Sequence, residues 1–287
     1  MTVRKAVILA AGHGTRFLPA TKVVPKEMLP LVDAPVIQYI VEEAIAAGIQ
    51  QIVMVTAEPK RAIEDHFDHA VDLEQALAEA GKDKPLQEVR RLADIDLVFV
   101  RQKERRGNGH AVLMARSIIG DDPFALYFPD DVIVSQVPAI KQLMDVYDRL
   151  GHSVVAVQEV PTEQVTMYGV IEPEPVEDRV YRVKRIIEKP SLEEAPSNLA
   201  TVGRFVLGPA ALPVLEATPP GRAGEIWLMD ALHQLAQQEP VYALQFEGQR
   251  FDTGQPLGLL EASIALGLQR EDIGPELKRY LKSLSLD

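Results

Sequence analysis

A glycine-bearing loop with cations close to it is the part of the sequence best suited to chemistry. Residues 11–16 read Ala-Gly-His-Gly-Thr-Arg and directly follow the apolar run Lys5–Ala10. Glycines let backbone N–H groups close around an anion without a Cβ in the way. Arg16, Lys22 and Lys26 add positive charge to the same stretch. The pattern predicts a site for phosphate groups.

The loop matches neither of the two common phosphate fingerprints. A dinucleotide fingerprint needs a third glycine at position 17, which is Phe17 here, and a Walker A loop needs Gly-x4-Gly-Lys-Ser/Thr. A nicotinamide-dependent oxidoreductase is therefore disfavoured. We expect a different nucleotide-binding fold.

Carboxylates that follow predicted strands are candidate metal ligands. Asp130 and Asp131 come directly after a buried-type strand at residues 124–128. The position suits Mg²⁺, which takes one or two carboxylates and completes its shell with water and substrate phosphates. A turn or a helix cap explains Pro-Asp-Asp equally well. Asp252 is a further candidate, although a turn residue is the simpler interpretation of it alone.

Two other polar groups have simple alternative interpretations. Glu188 and Lys189 end a predicted strand with an acid that can accept sugar hydroxyls and a cation that can hold a phosphate. A surface ion pair explains the same two residues. His66 and His69 lie three apart on a short predicted helix, but no third metal ligand accompanies them, so they are interpreted as surface histidines.

The elements that must position these residues alternate between strand and helix. Strands are predicted at residues 5–10, 51–56, 95–100, 124–128 and 153–157, with helices between them. Such alternation predicts an α/β fold: a Rossmann-like mixed, mostly parallel sheet flanked by helices. Ligands bind outside the carboxyl ends of parallel strands, so the loops at 11–16, 101–110 and 129–131 should meet at one edge.

The second half of the chain is richer in strands. They are predicted at residues 168–171, 179–188, 199–207 and 241–246, with helices at 224–237, 256–268 and 274–284. No linker or repeat interrupts the change, so a single domain over 1–287 is expected. Its parts are a nucleotide-binding half at about 1–160, a smaller lobe at about 161–255 and C-terminal helices at about 256–287.

Composition narrows the possible partners. The net charge of −12 argues against nucleic acid and anionic membranes, which both require a basic surface. With no cysteine, a disulfide framework, a thiolate nucleophile and a Cys-based zinc site are excluded. The first predicted strand leaves no room for a signal peptide, and no apolar stretch of 18 residues exists. A cytoplasmic protein is expected.

Taken together, these stretches resemble the bacterial UTP–glucose-1-phosphate uridylyltransferases, within the sugar-1-phosphate nucleotidyltransferase superfamily. The similarity covers residues 5–262, and the order and spacing of its motifs make it specific. The motifs lie at residues 10–16, 18–31, 107–111, 128–131, 168–169, 187–190, 195–198 and 224–226.

The resemblance implies a role for each matching residue. Catalysis is assigned to Arg16 and Lys26, which neutralise the triphosphate, and Mg²⁺ to Asp130 and Asp252. The sugar and its phosphate are assigned to Gly169, Glu188 and Lys189 of the smaller lobe. Nucleotide binding is assigned to Ala10, Ala11, Gly12, Gly14, Thr15, Glu27, Gln102, Gly107 and Asp131, with Gln102 and Gly107 at the pyrimidine.

The implied reaction joins UTP and glucose-1-phosphate into UDP-glucose and releases pyrophosphate, in a homodimer or homotetramer. Four residues depart from the usual motifs: His13, Asn108, Trp227 and Met229. The departures leave a thymidylyl- or cytidylyltransferase, or an enzyme that uses both UTP and dTTP, as the nearest alternative. A non-catalytic homologue that only binds nucleotide-sugars is the alternative from another class.

Overall fold

A nine-stranded mixed sheet organises the part of the chain that the computed structural model describes, residues 2–285. The first four strands in spatial order run parallel, and the sheet becomes mixed from the fifth strand onward. The spatial order is β5 (Leu97–Arg101), β4 (Gln51–Thr56), β1 (Lys5–Ala10), β6 (Phe124–Tyr127), β11 (Leu199–Leu207), β8 (Val154–Glu159), β12 (Tyr242–Gln245), β10 (Val180–Glu188) and β9 (Gly169–Glu177).

Two small antiparallel pairs stand beside this sheet. They are β2 (Pro30–Leu31) with β3 (Ala34–Pro35), and β7 (Asp131–Val134) with β13 (Gln249–Asp252). In the second pair Asp131 lies directly opposite Asp252, although the two residues are far apart in sequence. The two halves of the sequence are therefore combined in one structure. Strand β7 pairs with β13, and β11 lies between β6 and β8.

Helices cover both faces of the sheet, since the buried strands are apolar on both sides. In β1, Ala6 and Ile8 pack with the helices Val36–Ala46 and Ala139–Leu150, whereas Val7 packs with the helices Asn108–Met114, Ala211–Ala217 and Leu228–Gln238. The helices are α1 (Val36–Ala46), α2 (Arg61–His66), α3 (Val71–Glu79), α4 (Asp83–Ala93), α5 (Asn108–Met114), α6 (Arg116–Ile119), α7 (Ala139–Leu150), α8 (Ala211–Ala217), α9 (Leu228–Gln238), α10 (Pro256–Gln269) and α11 (Gly274–Ser283).

The predicted fold class is confirmed, and the local differences have physical causes. Asp131 begins strand β7 instead of ending a turn, and Asp252 ends β13 instead of lying in one. The helix predicted to begin at residue 224 begins at Leu228, because Ala223 and Gly224 have left-handed φ angles of 59° and 73° and Trp227 is extended with φ −96° and ψ 132°. Within residues 2–285, no helix is long and apolar enough to span a bilayer.

A buried arginine connects the sheet to the turn that carries the acidic residues. The side chain of Arg204 on β11 is 0% exposed and forms an ion pair with Glu43 of α1 at 2.6 Å. The same guanidinium donates to the carbonyl oxygens of Phe128, Gly203 and Asp131. A buried charge is tolerated only when such partners replace its water. Arg204 therefore fixes the backbone of the 128–131 turn.

Replacing Arg204 should destabilise the protein strongly. In Arg204→Met the Glu43 carboxylate, whose side chain is 9% exposed, loses its charged partner, which typically costs about 3–5 kcal/mol in a buried pair. Arg185→Met is the control, because Arg185 pairs with Glu172 at the exposed surface and should change stability by less than about 1 kcal/mol. Urea unfolding followed by circular dichroism measures both variants. Equal effects would contradict this account of Arg204.

Candidate active site

Two cavities with a common wall lie at the carboxyl ends of the central strands. The first has a volume of about 350 Å³ and lies against the glycine loop, and the second has a volume of about 450 Å³ and lies against β9, β10 and β11. Both are lined by Asn108, Phe128, Asp130 and Trp227. Molecules bound in the two cavities would meet at this wall.

The glycine loop is held in a folded shape over Lys26. Gly14 has φ 68°, in the left-handed region that favours glycine, and its carbonyl accepts a hydrogen bond from Thr21 Oγ1 at 2.7 Å. A Cβ on Gly14 would lie 3.1 Å from Cβ of Lys26. The prolines of this segment restrict it to short 3₁₀ turns, such as the one at Lys26–Met28. The loop and Lys26 therefore form one packed unit.

Lys26 and Asp130 form an ion pair between the loop and the acidic turn. Nζ of Lys26 donates to both carboxylate oxygens of Asp130. Burial acts to lower the pKa of Lys26, but the attraction of Asp130 and Glu27 outweighs it and raises the pKa. Glu27 itself is 1% exposed and pairs with Lys60 at 2.7 Å. Lys26 is therefore a fixed, protonated cation at the first cavity.

Hydrogen bonds define the orientation of the Gln102 amide at the opposite end of this cavity. Gln102 is 5% exposed, and its Nε2 donates to the carbonyl of Gly107 at 3.1 Å and lies 3.1 Å from Nδ1 of His110. The Gly107 carbonyl can only accept, so Nε2 is the donor end of the amide, and Nδ1 of a neutral His110 ring accepts its second hydrogen. Burial, and then the nearby Arg106, lower the pKa of His110, which favours that neutral ring. Both amide hydrogens are then used, and Oε1 stays as an acceptor.

Arg105 is a cation of this site that sequence reasoning missed. It donates from Nε to the carbonyl of Ala11 at 2.9 Å and from Nη2 to the carbonyl of Glu58 at 2.8 Å. It lines the first cavity and a further one of about 290 Å³ around the glycine loop. The sequence could have indicated Arg105, because it lies in the loop at residues 101–110, which contains two glycines and follows β5.

The acidic side chains meet where β7 pairs with β13. Asp131 accepts from the backbone N–H of Gly203 at 2.6 Å and from Nε of Arg250 at 2.5 Å. Burial, and then the charge of Asp131, raise the pKa of Asp252. A Cβ on Gly254 would lie 2.8 Å from Oδ2 of Asp130 and 3.1 Å from Oδ1 of Asp252. Asp130 and Asp252 therefore face the same small space.

The second cavity has an acid and a cation in its wall. Burial, and then the charge of Asp230, raise the pKa of Glu188, and the adjacent Lys189 partly counters this rise. Gly169 also lines this cavity, and a Cβ on it would lie 2.8 Å from Oγ1 of Thr201 and 3.1 Å from Sδ of Met229. A side chain at position 169 would therefore fill the space beside Glu188.

The predicted site residues gather around these cavities with few exceptions. The first is lined by Ala11, Gly12, Lys26, Gln102, Gly107 and Asp130, and the second by Arg16, Asp130, Asp131, Gly169, Glu188, Lys189 and Asp252. Thr15 lines the further cavity around the glycine loop. Ala10, Gly14 and Glu27 are outside the linings of these three cavities: Ala10 ends β1, Gly14 lies within the glycine loop, and Glu27 is buried in its pair with Lys60.

The two histidines interpreted as surface residues lie away from the cavities. Nε2 of His66 is 3.1 Å from Oε1 of Gln38, and Nδ1 of His69 is 3.0 Å from Oε1 of Glu74. His69 is exposed, while His66 is only partly exposed. Within the described range, no three His, Asp or Glu side chains are grouped so that they could hold a metal.

Comparison with known proteins gives the class and then the family. The model of the nucleotidyl transferase family matches residues 5–267. A UTP–glucose-1-phosphate uridylyltransferase of Staphylococcus haemolyticus strain JCSC1435 is 50% identical over 98% of this chain and 98% of its own length. The chain therefore belongs to the nucleotidyl transferase family and, within it, to the UTP–glucose-1-phosphate uridylyltransferases.

Solved structures give the same result. A UDP-glucose pyrophosphorylase complexed with UDP-glucose is 42% identical, covers 94% of this chain and 100% of its own, and has a TM-score of 0.86. A UTP-bound UGPase from Acinetobacter baumannii is 38% identical, covers 99% of this chain and 100% of its own, and has a TM-score of 0.92. The family predicted from the sequence motifs is confirmed.

Loop 106–109 can pack closely against the backbone of Ile226 only if residue 107 has no side chain. A Cβ on Gly107 would lie 2.5 Å from the carbonyl oxygen of Ile226, and its φ is 98°. Gly107→Ala should displace the segment that carries Trp227, the only tryptophan, and so shift its fluorescence emission. The clash should add about 1–3 kcal/mol to the cost of the strained backbone.

Gly120→Ala is the matched control for this variant. Gly120 also has a left-handed φ of 64°, but nothing lies within 4 Å of its Cβ position. The control should lose about 1–2 kcal/mol of stability from backbone strain alone and keep the wild-type emission spectrum. An unchanged spectrum in Gly107→Ala would show that the two loops are not fixed against each other.

Proposed function

We propose that this chain catalyses the formation of UDP-glucose and pyrophosphate from UTP and glucose-1-phosphate. The observation that carries the proposal is the pair of cavities that meet at Asp130, with the Lys26 ammonium beside the glycine loop. Membership of the uridylyltransferase family supports the same reaction. The nucleotide would occupy the first cavity and the sugar phosphate the second.

The chemistry follows from the charges of the two substrates. A phosphate oxygen of glucose-1-phosphate attacks the α-phosphorus of UTP, the new P–O bond forms, and the bond to pyrophosphate breaks. The nucleophile is already an anion, so no side chain has to remove a proton. The barrier comes from bringing two anions together, and fixed cations such as Arg16, Lys26 and Arg105 lower it by electrostatic stabilisation and positioning.

The orientation of Gln102 supports a base that carries an N–H group. Its Nε2 hydrogens are directed to Gly107 and His110, so Oε1 accepts a hydrogen bond from the substrate. Uracil and thymine have an N–H at the ring position where cytosine has an acceptor. This contact favours UTP or dTTP over CTP, and the names of the family members favour UTP.

Asp130 and Asp252 would hold Mg²⁺, since the donor set fits that ion. Two oxygen ligands that face one space, with phosphates and water for the remaining positions, are what Mg²⁺ takes in such enzymes. Burial, and then the charges of Asp131 and Asp130, raise the pKa of Asp252, and Arg250 partly counters this rise. Bound there, the ion would neutralise charge on the phosphates.

On the sugar side, Glu188 would accept hydrogen bonds from hydroxyl groups and Lys189 would bind the 1-phosphate. Gly169 would leave room for the hexose ring beside Thr201. Glu188 is partly buried, which makes its polar contacts stronger than they would be in water. The cytoplasmic location and the homodimer or homotetramer stay predictions of the sequence.

The test is a pyrophosphate-release assay over a matrix of nucleoside triphosphates and hexose-1-phosphates, with Mg²⁺ or with a chelator. UTP with glucose-1-phosphate and Mg²⁺ should give the highest turnover. Equal turnover with dTTP would support the relaxed alternative, and nucleotide-sugar binding without turnover would support a non-catalytic homologue. No turnover with any pair would overturn the proposed function.

Removing the Lys26 ammonium should impair turnover without unfolding the protein. Loss of one preorganised charge-stabilising group costs about 10²–10³ in rate, so we expect Lys26→Met to lose that much in kcat. Lys103→Met is the control, because Lys103 is exposed in a neighbouring loop and lines neither cavity. Near wild-type kcat for Lys26→Met would exclude Lys26 from the mechanism.

A further inference from the structure

The only tryptophan of the chain stands in the wall between the two cavities. The backbone on each side of Trp227 is fixed by loop 106–109. The N–H of Ile226 donates to the carbonyl of Arg106 at 2.8 Å, and the N–H of Leu228 donates to Oδ1 of Asn108 at 2.9 Å. The position of the indole ring is therefore set from the nucleotide side of the site.

On the sugar side, the ring contacts a cation. Nζ of Lys189 lies 5.4 Å from the centroid of the Trp227 ring, within the range of a cation–π interaction. The backbone of Lys189 has φ 48°, and its N–H donates to the carbonyl of Tyr168 at 2.9 Å, so the start of the side chain is also fixed. Glu188 is the nearest carboxylate, 3.8 Å from Nζ.

An aromatic ring holds an ammonium without neutralising it. A carboxylate hydrogen-bonded to Lys189 would compete with an incoming phosphate, but Glu188 at 3.8 Å lies beyond hydrogen-bonding distance. The indole face restricts the lysine side chain and leaves its charge available. A free lysine side chain loses much rotamer entropy when it is ordered, and restricting it beforehand lowers that cost for a ligand. The Trp227 contact therefore serves the binding of an anion at Lys189.

We propose that Trp227 is a positioning residue that acts through Lys189 and raises the affinity for the sugar phosphate. The inference rests on the proposed function, because it takes the anion in the second cavity to be the phosphate of glucose-1-phosphate. It goes further, because it gives the residue in the common wall a role in binding the second substrate. The effect falls on KM for glucose-1-phosphate and leaves kcat nearly unchanged.

A double-mutant cycle tests this coupling. Trp227→Leu should raise KM for glucose-1-phosphate about 3–10-fold with kcat within about twofold, the range expected for a cation–π contact at a partly exposed to desolvated site. Trp227→Phe keeps an aromatic face and should recover part of the loss. In a Lys189→Met background, Trp227→Leu should cause no further rise in KM. Lys184→Met, a lysine of β10 paired with Glu174, is the control and should leave KM unchanged.

Tryptophan fluorescence gives a readout that does not depend on turnover. Lys189→Met should shift the emission of Trp227 in the substrate-free protein, and Lys184→Met should not. An equal KM rise from Trp227→Leu in both backgrounds, or a Trp227→Phe variant as impaired as Trp227→Leu, would overturn the proposal. Failure of the wild type to join UTP and glucose-1-phosphate would overturn the proposed function instead, and the fluorescence shift would still report whether the two residues are in contact.

Discussion

The arrangement of the acidic turn at residues 128–131 depends on the buried guanidinium of Arg204. Removing this cation from water would be prohibitive without the Glu43 carboxylate and the three carbonyl oxygens that surround it. The contacts connect helix α1, which follows the glycine loop, to a strand from the second half of the chain. They also hold the backbone from Phe128 to Asp131. The Asp130 carboxylate faces both cavities because the turn that carries it is attached to this core.

Three ion pairs place positive and negative side chains next to one another across the site. Lys60 pairs with Glu27 next to the glycine loop, Lys26 with Asp130 at the first cavity, and Arg250 with Asp131 at the second cavity. A chain of net charge −12 that handles phosphates has to collect its cations locally, and each of these cations is kept in place by an acid. The arrangement explains how fixed positive groups persist in a site whose two cavities are also lined by the carboxylates of Asp130, Asp131, Glu188, Glu225 and Asp252.

The sequence predicted correctly those elements whose pattern lies within a few consecutive residues. Strand β1 could be predicted because its continuous apolar run is typical of a strand buried on both faces, and the 3₁₀ turns that follow agree with the four prolines between residues 19 and 35. Strands β7 and β13 could not be predicted, because each has four residues and pairs with a segment about a hundred residues away. The same limitation applies to Arg204, an isolated charge in an apolar strand whose partner Glu43 is on another element.

The departures from the family motifs show why a single substituted residue is hard to interpret alone. Asn108 suggested a change in base preference, since it lies in a loop that the sequence predicts to bind the nucleotide. In the structure its Oδ1 accepts the N–H of Leu228, so the side chain fastens helix α9 to the loop and does not face the base with a free carbonyl. The proposed contact to the base is then made by Gln102, whose orientation is set by Gly107 and His110. Asn108 and Trp227 are instead connected in the structure. Asn108 fixes the backbone next to Trp227 through Leu228, and the Trp227 ring in turn contacts Lys189.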